Sequence, residues 1–356
     1  MKGKLNFALI GCGRIAARHA QILQSMDDVN LVAVADTCEE RASDFADKYG
    51  SRYYADYNDM LAHENIDVVN VLTPSGNHAE IGIDVARSGR HVVVEKPMSL
   101  RLEDADALTE ACSVNGVELF VVKQNRFNLP VKKLKEAVDA GRFGKLVLGT
   151  IRVRWCRRQD YYDQDAWRGT WAMDGGVLTN QASHHIDLLQ WMMGPVESVM
   201  AKTGTMLTNI EAEDTGVAIL KFQNGALGVI EATTCARPKD LEGSISILGE
   251  KGTVEIAGFA VNKMKTWDFI EPIPGDEEVI EKYAQNPPDV YGFGHHEFLR
   301  NVVDCVNEGR RSIVDGIEGR KSLELINAIY ESVETGKEVF LRFKPKKCRL
   351  GMTDED

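Results

Sequence analysis

Two kinds of side chain in this sequence can carry a proton near neutral pH from suggestive positions. One is Lys96, at the end of "HVVVEKP"; the other is the histidine pair of "DGGVLTNQASHHID", positions 174–187. Lysine and histidine are groups that take a proton from a reacting hydroxyl. Adjacent residues on a helix project about 100° apart, so His184 and His185 do not converge on one metal ion. Asn180, His184 and Asp187 are spaced four and three apart and share a face. There is no H-E-x-x-H and no cysteine cluster, and no metal is expected. His295 and His296 in "GFGHHEF" open a predicted helix and are read as packing or capping residues; His63 is read as a surface residue.

What must position Lys96 is a nucleotide cradle. "KLNFALIG" is a strand-like run, "GCGRIA" a glycine turn, and "ARHAQILQS" a helix with an apolar stripe. Gly11, Gly13 and Ala16 fit G-x-G-x-x-G/A: a tight turn, close backbone approach to a pyrophosphate, and close helix–strand packing. Cys12, Arg14 and Ile15 lie inside that turn, and the helix N-terminus offers N–H groups to the phosphates. A second strand, "LVAVAD", ends on Asp36, about 20 residues on, where an acidic residue meets the ribose hydroxyls. Thr37 and Cys38 follow and no Arg occurs before Arg41, so NAD is expected rather than NADP.

"DVVNVLTP", "HVVVEKP" and "ELFVVKQ" are short continuous apolar runs, as expected of parallel strands buried on both faces. Helical stretches at 39–49, 78–88 and 101–115 lie between them, giving a doubly wound α/β sheet. Ligands of such sheets sit beyond the strand carboxyl ends. Those ends carry Asp36, Thr73-Pro74, Glu95-Lys96-Pro97 and Gln124-Asn125-Arg126. Lys96 is therefore predicted beside the nicotinamide, where burial and a cationic ring lower its pKa.

After residue 126 the texture changes to alternating strands: "LVLGTIRVRW", "VESVMAKTGTML", "TGVAILKF", "GALGVIEATT", "GSISILG" and "GTVEIAG". Segment 265–290 is expected as a long acidic loop, with helices at 293–308 and 316–336, a last strand "EVFLRF" and a frayed tail "GMTDED". The 356 residues are divided into a nucleotide domain, 1–124, and a second α/β domain, 125–356, on a mostly antiparallel open sheet. An exposed apolar sheet face predicts a homo-oligomer, dimer or tetramer.

The net charge of −12 argues against nucleic acid, and no run of 18 apolar residues suggests a membrane span. The N-terminus shows no secretion signal, and seven unpaired-looking cysteines suit a reducing cytoplasm. Against the acidic whole, positions 123–168 carry twelve Lys and Arg but five Asp and Glu, a balance of +7. Arg152, Arg154, Arg157 and Arg158 cluster there and suit an anionic substrate. The aromatic stretch "YYDQDAWRGTWAMDGG", with Tyr161, Tyr162, Trp167 and Trp171, suits a sugar site.

On "GCGRIA", Asp36, "TPSGNH", "EKP" and "GGVLTNQASHHIDLLQWMMG", the chain resembles the Gfo/Idh/MocA oxidoreductases over nearly its full length. That resemblance implies a Rossmann domain, a second domain with a large open sheet, and oxidation of a carbohydrate-like hydroxyl by NAD or NADP. It implies Lys96 in the catalytic position, often before a cis proline, the site histidine at His184 and a later acid at Asp187. Many members carry an aspartate where this chain has Asn180, read here with Gln181 as a substrate hydrogen-bonder. The resemblance extends the cofactor set to Thr73, Pro74, His78, Glu95, Gln124, Trp167 and Arg168, and the substrate set to Arg126, Arg154, Tyr162 and His185. Within the family, residues 152–185 are similar to the NAD-dependent branch that oxidises C3 of UDP-N-acetylglucosaminuronate for surface polysaccharides. Inositol and free-sugar dehydrogenases remain an alternative, as does a non-catalytic nucleotide-binding module. His184 is expected as base with Lys96 on the hydroxyl; the reverse assignment stays open.

Overall fold

The computed structural model describes residues 3–284 and 294–341. The first six strands are β1 Leu5–Ile10, β2 Val29–Ala35, β3 Arg52–Tyr54, β4 Val68–Val71, β5 His91–Val94 and β6 Leu119–Val121. They form one parallel sheet in the order β3-β2-β1-β4-β5-β6. The central strands are buried on both faces, which is why they read as unbroken apolar runs. Crossover helices Arg14–Gln24, Glu39–Tyr49, His78–Arg87 and Leu102–Val114 cover the faces.

The second sheet holds β7 Leu146–Arg154, β8 Val196–Gly204, β9 Thr215–Phe222, β10 Leu227–Thr233, β11 Glu242–Gly249, β12 Gly252–Ala257, β13 Lys263–Phe269 and β14 Val339–Phe340. Its order is β13-β12-β11-β7-β10-β9-β8-β14, antiparallel except for β7 beside β10. The inner face packs on the helices Leu129–Asp139, Ser183–Met193 and Gly316–Thr335. The outer face leaves Val147, Met200, Val217, Ile219 and Leu227 exposed. β9 alternates strictly between the two faces, as the sequence pattern predicts for a half-covered strand.

Two expectations need correction. The segment 265–290 is not a loop throughout: its start belongs to β13, which pairs with β12 through Trp267 and Asp268. The helix Gly294–Glu308 does not keep to the second domain. Phe298, Leu299, Val302, Val303 and Cys305 enter the core of the nucleotide domain with Phe7, Leu9 and Phe120, and Val314 follows them. The apolar stripe of that helix specifies burial but not against which sheet. The tail "GMTDED" and the end of "EVFLRF" lie outside the described residues.

Glycines of "DGGV" mark a close approach. A Cβ on Gly176 would stand 2.2 Å from the Glu213 carbonyl and carboxylate. Glu213 is 3% exposed; its Oε1 accepts from Leu178 N (2.9 Å) and Tyr330 OH (3.0 Å), while Oε2 has no partner. Burial pushes its carboxyl up to about 7, with the donated hydrogen bonds opposing and Asp174 adding to the rise. The folded state therefore holds a proton that the unfolded chain releases near the ordinary glutamate value. Stability falls as pH rises through that window, by on the order of 3 kcal/mol at about 1.4 kcal/mol per unit. Glu213→Gln should flatten the decline in unfolding free energy between about pH 5 and about pH 8. Denaturant titrations across that range check it, and a variant with the parent's slope refutes it.

Candidate active site

A cleft of about 980 Å³ runs along the carboxyl ends of the first sheet and under the second domain. Its floor is the β1 turn. Gly11 has φ 95°, and a Cβ there would meet the Leu72 carbonyl at 2.8 Å, so only glycine makes this turn. A Cβ on Gly13 would meet nothing within 4 Å, which leaves room over the helix start for a pyrophosphate. Cys12, Arg14, Ile15, Thr73, Pro74, His78, Glu95, Gln124, Trp167 and Arg168 line the same cleft, as do Asp36 and Lys96. His78 bridges the Thr73 and Pro97 carbonyls at 2.8 and 2.7 Å.

Asp36 differs in one respect from its expected setting. Arg41 is not remote: one helical turn brings its Nε and Nη2 to the carboxylate at 2.9 and 2.6 Å. Cys12 N and Cys38 N also donate to it, each at 2.9 Å. Burial raises the carboxyl, but these donors outweigh it and hold Asp36 below the usual range. Asp36 thus stays an anion at the strand end, able to accept ribose hydroxyls. These features fit a bound NAD.

The candidate reacting groups, Lys96 and His184, come from the two domains. Lys96 lies two residues beyond the end of β5, and the Lys96–Pro97 bond is cis. Its Nζ donates to Asn180 O (2.6 Å) and Asn180 Oδ1 (3.2 Å), on the turn before the helix Ser183–Met193. Burial lowers the Lys96 pKa, while Glu95 and Asp174 oppose the fall. Gln124 Nε2 stands 2.9 Å from His184 Nε2, and His184 Nδ1 has no protein partner. Burial, then the charges of Lys96 and Lys123, hold His184 well below the usual histidine value, so it is neutral at pH 7.

Four residues expected at the substrate do not line the cleft. Arg126 is buried; its Nε and Nη2 engage Asp187 at 2.7 and 2.9 Å and its Nη1 engages Glu318 at 3.1 Å. Lys123 Nζ lies 3.5 Å from Asp187, so the acid that shares a face with His184 serves this ion cluster. Arg154 is held on the sheet by Glu231 (2.6 and 2.8 Å) and Glu242 (3.2 Å). Tyr162 is buried, with its hydroxyl 3.1 Å from Thr234 Oγ1. His185 is fully buried, edge-on to Trp155 at 5.8 Å, and burial takes its pKa to about 4. The spacing put His185 on another face than His184; that face is core. Asn180, Gln181 and His184 do line the cleft.

Trp155, Arg157 and Tyr161 line it too: Arg157 belongs to the arginine cluster expected at an anionic substrate and Tyr161 to the aromatic stretch expected at a sugar, while Trp155 is an addition. The +7 balance and the aromatic stretch were the available signals, and neither resolves which members face inward. Asp174 was also passed over. It is 1% exposed, its Oδ1 accepts from Asn180 Nδ2 at 2.5 Å and its Oδ2 from Gly169 N at 2.9 Å. A carboxylate thus stands behind Asn180, turning its amide oxygen toward Lys96. Among the described residues, one trio, His19, Glu95 and His295, brings ligand-type atoms within 4.8 Å of one another. Glu95 there accepts from the His19 ring at 3.2 Å. Burial pushes its carboxyl up, but His19, His295 and Lys96 outweigh that and hold it at about 2.

Comparison with known proteins follows this geometry. Residues 5–123 match the oxidoreductase family with an NAD-binding Rossmann fold, and residues 131–255 match the GFO/IDH/MocA C-terminal domain. The myo-inositol 2-dehydrogenase of Thermotoga maritima is 31% identical over 346 residues, 95% of this chain and 98% of that protein. The chain belongs to the Gfo/Idh/MocA oxidoreductase family. It is an NAD-binding oxidoreductase with the two-domain α/β fold of that family. Among solved structures, the WlbA dehydrogenase from Bordetella pertussis, crystallised with NADH and UDP-GlcNAcA, is 46% identical, with TM-score 0.93 over 97% of this chain and 99% of its own. The WlbA dehydrogenase from Chromobacterium violaceum, with the same two ligands, is 43% identical, with TM-score 0.91 over 97% and 98%.

Asp174 opposes the fall of the Lys96 pKa, so its removal deepens that fall. In Asp174→Asn the limb of the kcat/KM–pH profile that titrates with Lys96 should move to lower pH. A limb that stays in place or moves up refutes the electrostatic role.

Proposed function

We propose that this protein oxidises the C3 hydroxyl of UDP-N-acetylglucosaminuronate with NAD, in the cytoplasm, as a step toward a surface-polysaccharide sugar. The observation that carries this reading is 46% identity over 97% of the chain to an enzyme crystallised with that nucleotide sugar and NADH. The cleft supports it: Arg157, paired with Asp240 at 2.9 Å, and Arg168, paired with Asp165 at 2.8 Å, line it with guanidinium nitrogens to spare, beside Trp155, Tyr161 and Trp167. Guanidinium groups suit a carboxylate and a diphosphate, and aromatic faces suit sugar and base rings.

Bound NAD supplies the hydride acceptor. His184 takes the hydroxyl proton, for which its neutral imidazole is already in the accepting form. Gln124 Nε2 donates to His184 Nε2 at 2.9 Å, so the ring's lone pair lies on Nε2, where the substrate hydroxyl would displace the amide. Lys96 donates to the hydroxyl oxygen as negative charge develops there. Asn180, itself held by Asp174, fixes the Lys96 ammonium in place, which keeps the reorganisation at the moment of transfer small.

The second reading is an inositol dehydrogenase, favoured by the 31% identity to the Thermotoga maritima enzyme. It has no use for cationic side chains in the cleft. We further propose that other copies of the chain cover the exposed apolar face of the second sheet, giving a dimer or tetramer. Light scattering on the purified protein should report a multiple of the 39.5 kDa chain; a single chain at micromolar concentration removes this assignment.

The parent protein should reduce NAD with UDP-N-acetylglucosaminuronate and not with myo-inositol; the opposite pattern establishes the second reading. In stopped flow, Lys96→Met and His184→Asn should each lower single-turnover NADH formation by about 10² or more. Whichever variant keeps the parent's rate identifies a residue that does not carry the proton.

A further inference from the structure

The exits of β7 and β10 set two cysteines opposite each other. Cys156 and Cys235 form an isolated antiparallel bridge beyond the strand ends. The hydrogen bonds that frame it run from Arg157 N to Thr234 O (2.9 Å) and from Ala236 N to Trp155 O (3.1 Å). The cysteines' own amides turn elsewhere: Cys156 N donates to Asp240 Oδ1 at 2.6 Å, and Cys235 N to Thr233 Oγ1 at 3.0 Å. This is a non-hydrogen-bonded position of an antiparallel ladder. Facing Cα atoms there stand about 4.5 Å apart with both side chains on one face. A disulfide spans Cα separations of about 4.4–6.8 Å, so the pair lies within its reach, at the short end.

Both thiols are half-buried, open enough for a small reagent. Their sulfur contacts are with polar neighbours, and Cys235 also bonds the Asp214 side chain. Cys156 Sγ lies 3.4 Å from the Pro238 carbonyl and 3.8 Å from Arg237 Nη1, and Thr215 Oγ1 lies 3.6 Å from Cys235 Sγ. The other described cysteines offer no such pairing: Cys12, Cys112 and Cys305 are buried, and Cys38 is exposed on the nucleotide domain.

We propose that Cys156 and Cys235 are a reversible thiol–disulfide site, closed by a small-molecule disulfide such as oxidised glutathione and opened by its thiol. One cysteine thiolate attacks a glutathione sulfur, forming a mixed disulfide and releasing one glutathione. The second cysteine attacks the protein sulfur of that mixed disulfide and releases the other. Two protein S–H bonds become one S–S bond, the two electrons reduce oxidised glutathione, and the two protons end on two glutathione thiols. A bridge between two half-buried cysteines stays within reach of a thiol, and accessible disulfides are the readily reduced ones, which makes it a switch rather than a permanent brace. Its place gives it a consequence. Cys156 stands between Trp155 and Arg157, both in the wall of the cleft, and closure ties that wall to the β10 exit. The glycine cradle of the cofactor lies on the other domain and is untouched.

The test uses the reduced full-length protein, incubated with oxidised glutathione, blocked with N-ethylmaleimide and mapped by mass spectrometry without reductant. The expected product is a cross-linked pair of the Cys156 and Cys235 peptides, two hydrogens lighter than the two free peptides together and carrying no maleimide. It reverts in millimolar reduced glutathione, and NADH affinity by fluorescence titration is unchanged. Cys156→Ser and Cys235→Ser should each lose the cross-link, leaving the remaining cysteine with one glutathione. The proposal is overturned if the parent shows both cysteines alkylated or separately glutathionylated, or if the cross-link involves another cysteine. It is equally overturned if the bridge resists reduced glutathione or if NADH affinity falls on closure.

Discussion

The site depends on one contact across the two domains, the Lys96 ammonium held by Asn180 through its carbonyl and its amide oxygen. A lysine at the mouth of a parallel sheet is surrounded by apolar strand ends and would lose its charge there if left alone. Glu95 follows from the same strand and Asp174 from behind Asn180, and their fields oppose that loss. They thereby counter part of the fall that burial imposes on the ammonium, which suits the proposed role of stabilising charge on a substrate oxygen. Everything else in the cleft is arranged around that point: the glycine turn below, His184 beside it, the aromatic wall above.

The second constraint is the buried ion cluster of Lys123, Arg126, Asp187 and Glu318. Unpaired, any of these charges would be costly at such burial, and removing one partner strands the others. Together they join the end of the first sheet to two helices of the second domain. The helix that carries His184 therefore has its next turn anchored through Asp187. The proposed proton acceptor is aligned by an ionic clamp whose members do not line the cleft.

Much of this was legible in the sequence. The parallel strands announced themselves as unbroken apolar runs, the cradle by Gly11 and Gly13, and the cleft by the polar residues closing each strand. Alternation in "TGVAILKF" gave both the strand and its two faces. What escaped was partnership. Arg126 and Arg154 are the right chemistry for an anionic substrate, but carboxylates distant in sequence, Asp187 and Glu231, engage them first. Arg41 looked too remote from Asp36 until a helical turn folded it back. Asp174 lies six residues before Asn180, and no periodic pattern connects a loop carboxylate with an amide in the following turn. Periodicity reports which way a side chain faces, and says nothing of what waits opposite it.

The return of the helix Gly294–Glu308 into the first domain's core bears on how the chain assembles. The strands of the nucleotide sheet are the first to be made, yet Phe7, Leu9 and Phe120 lack the part of their cover that Phe298–Val314 supply until those residues have emerged. Through most of synthesis that apolar surface is open. The contacts that seal it are among the most non-local in the chain, so closing them carries a large loop entropy and comes late. A growing chain of this design depends on protection of its first half while its second half is still being made.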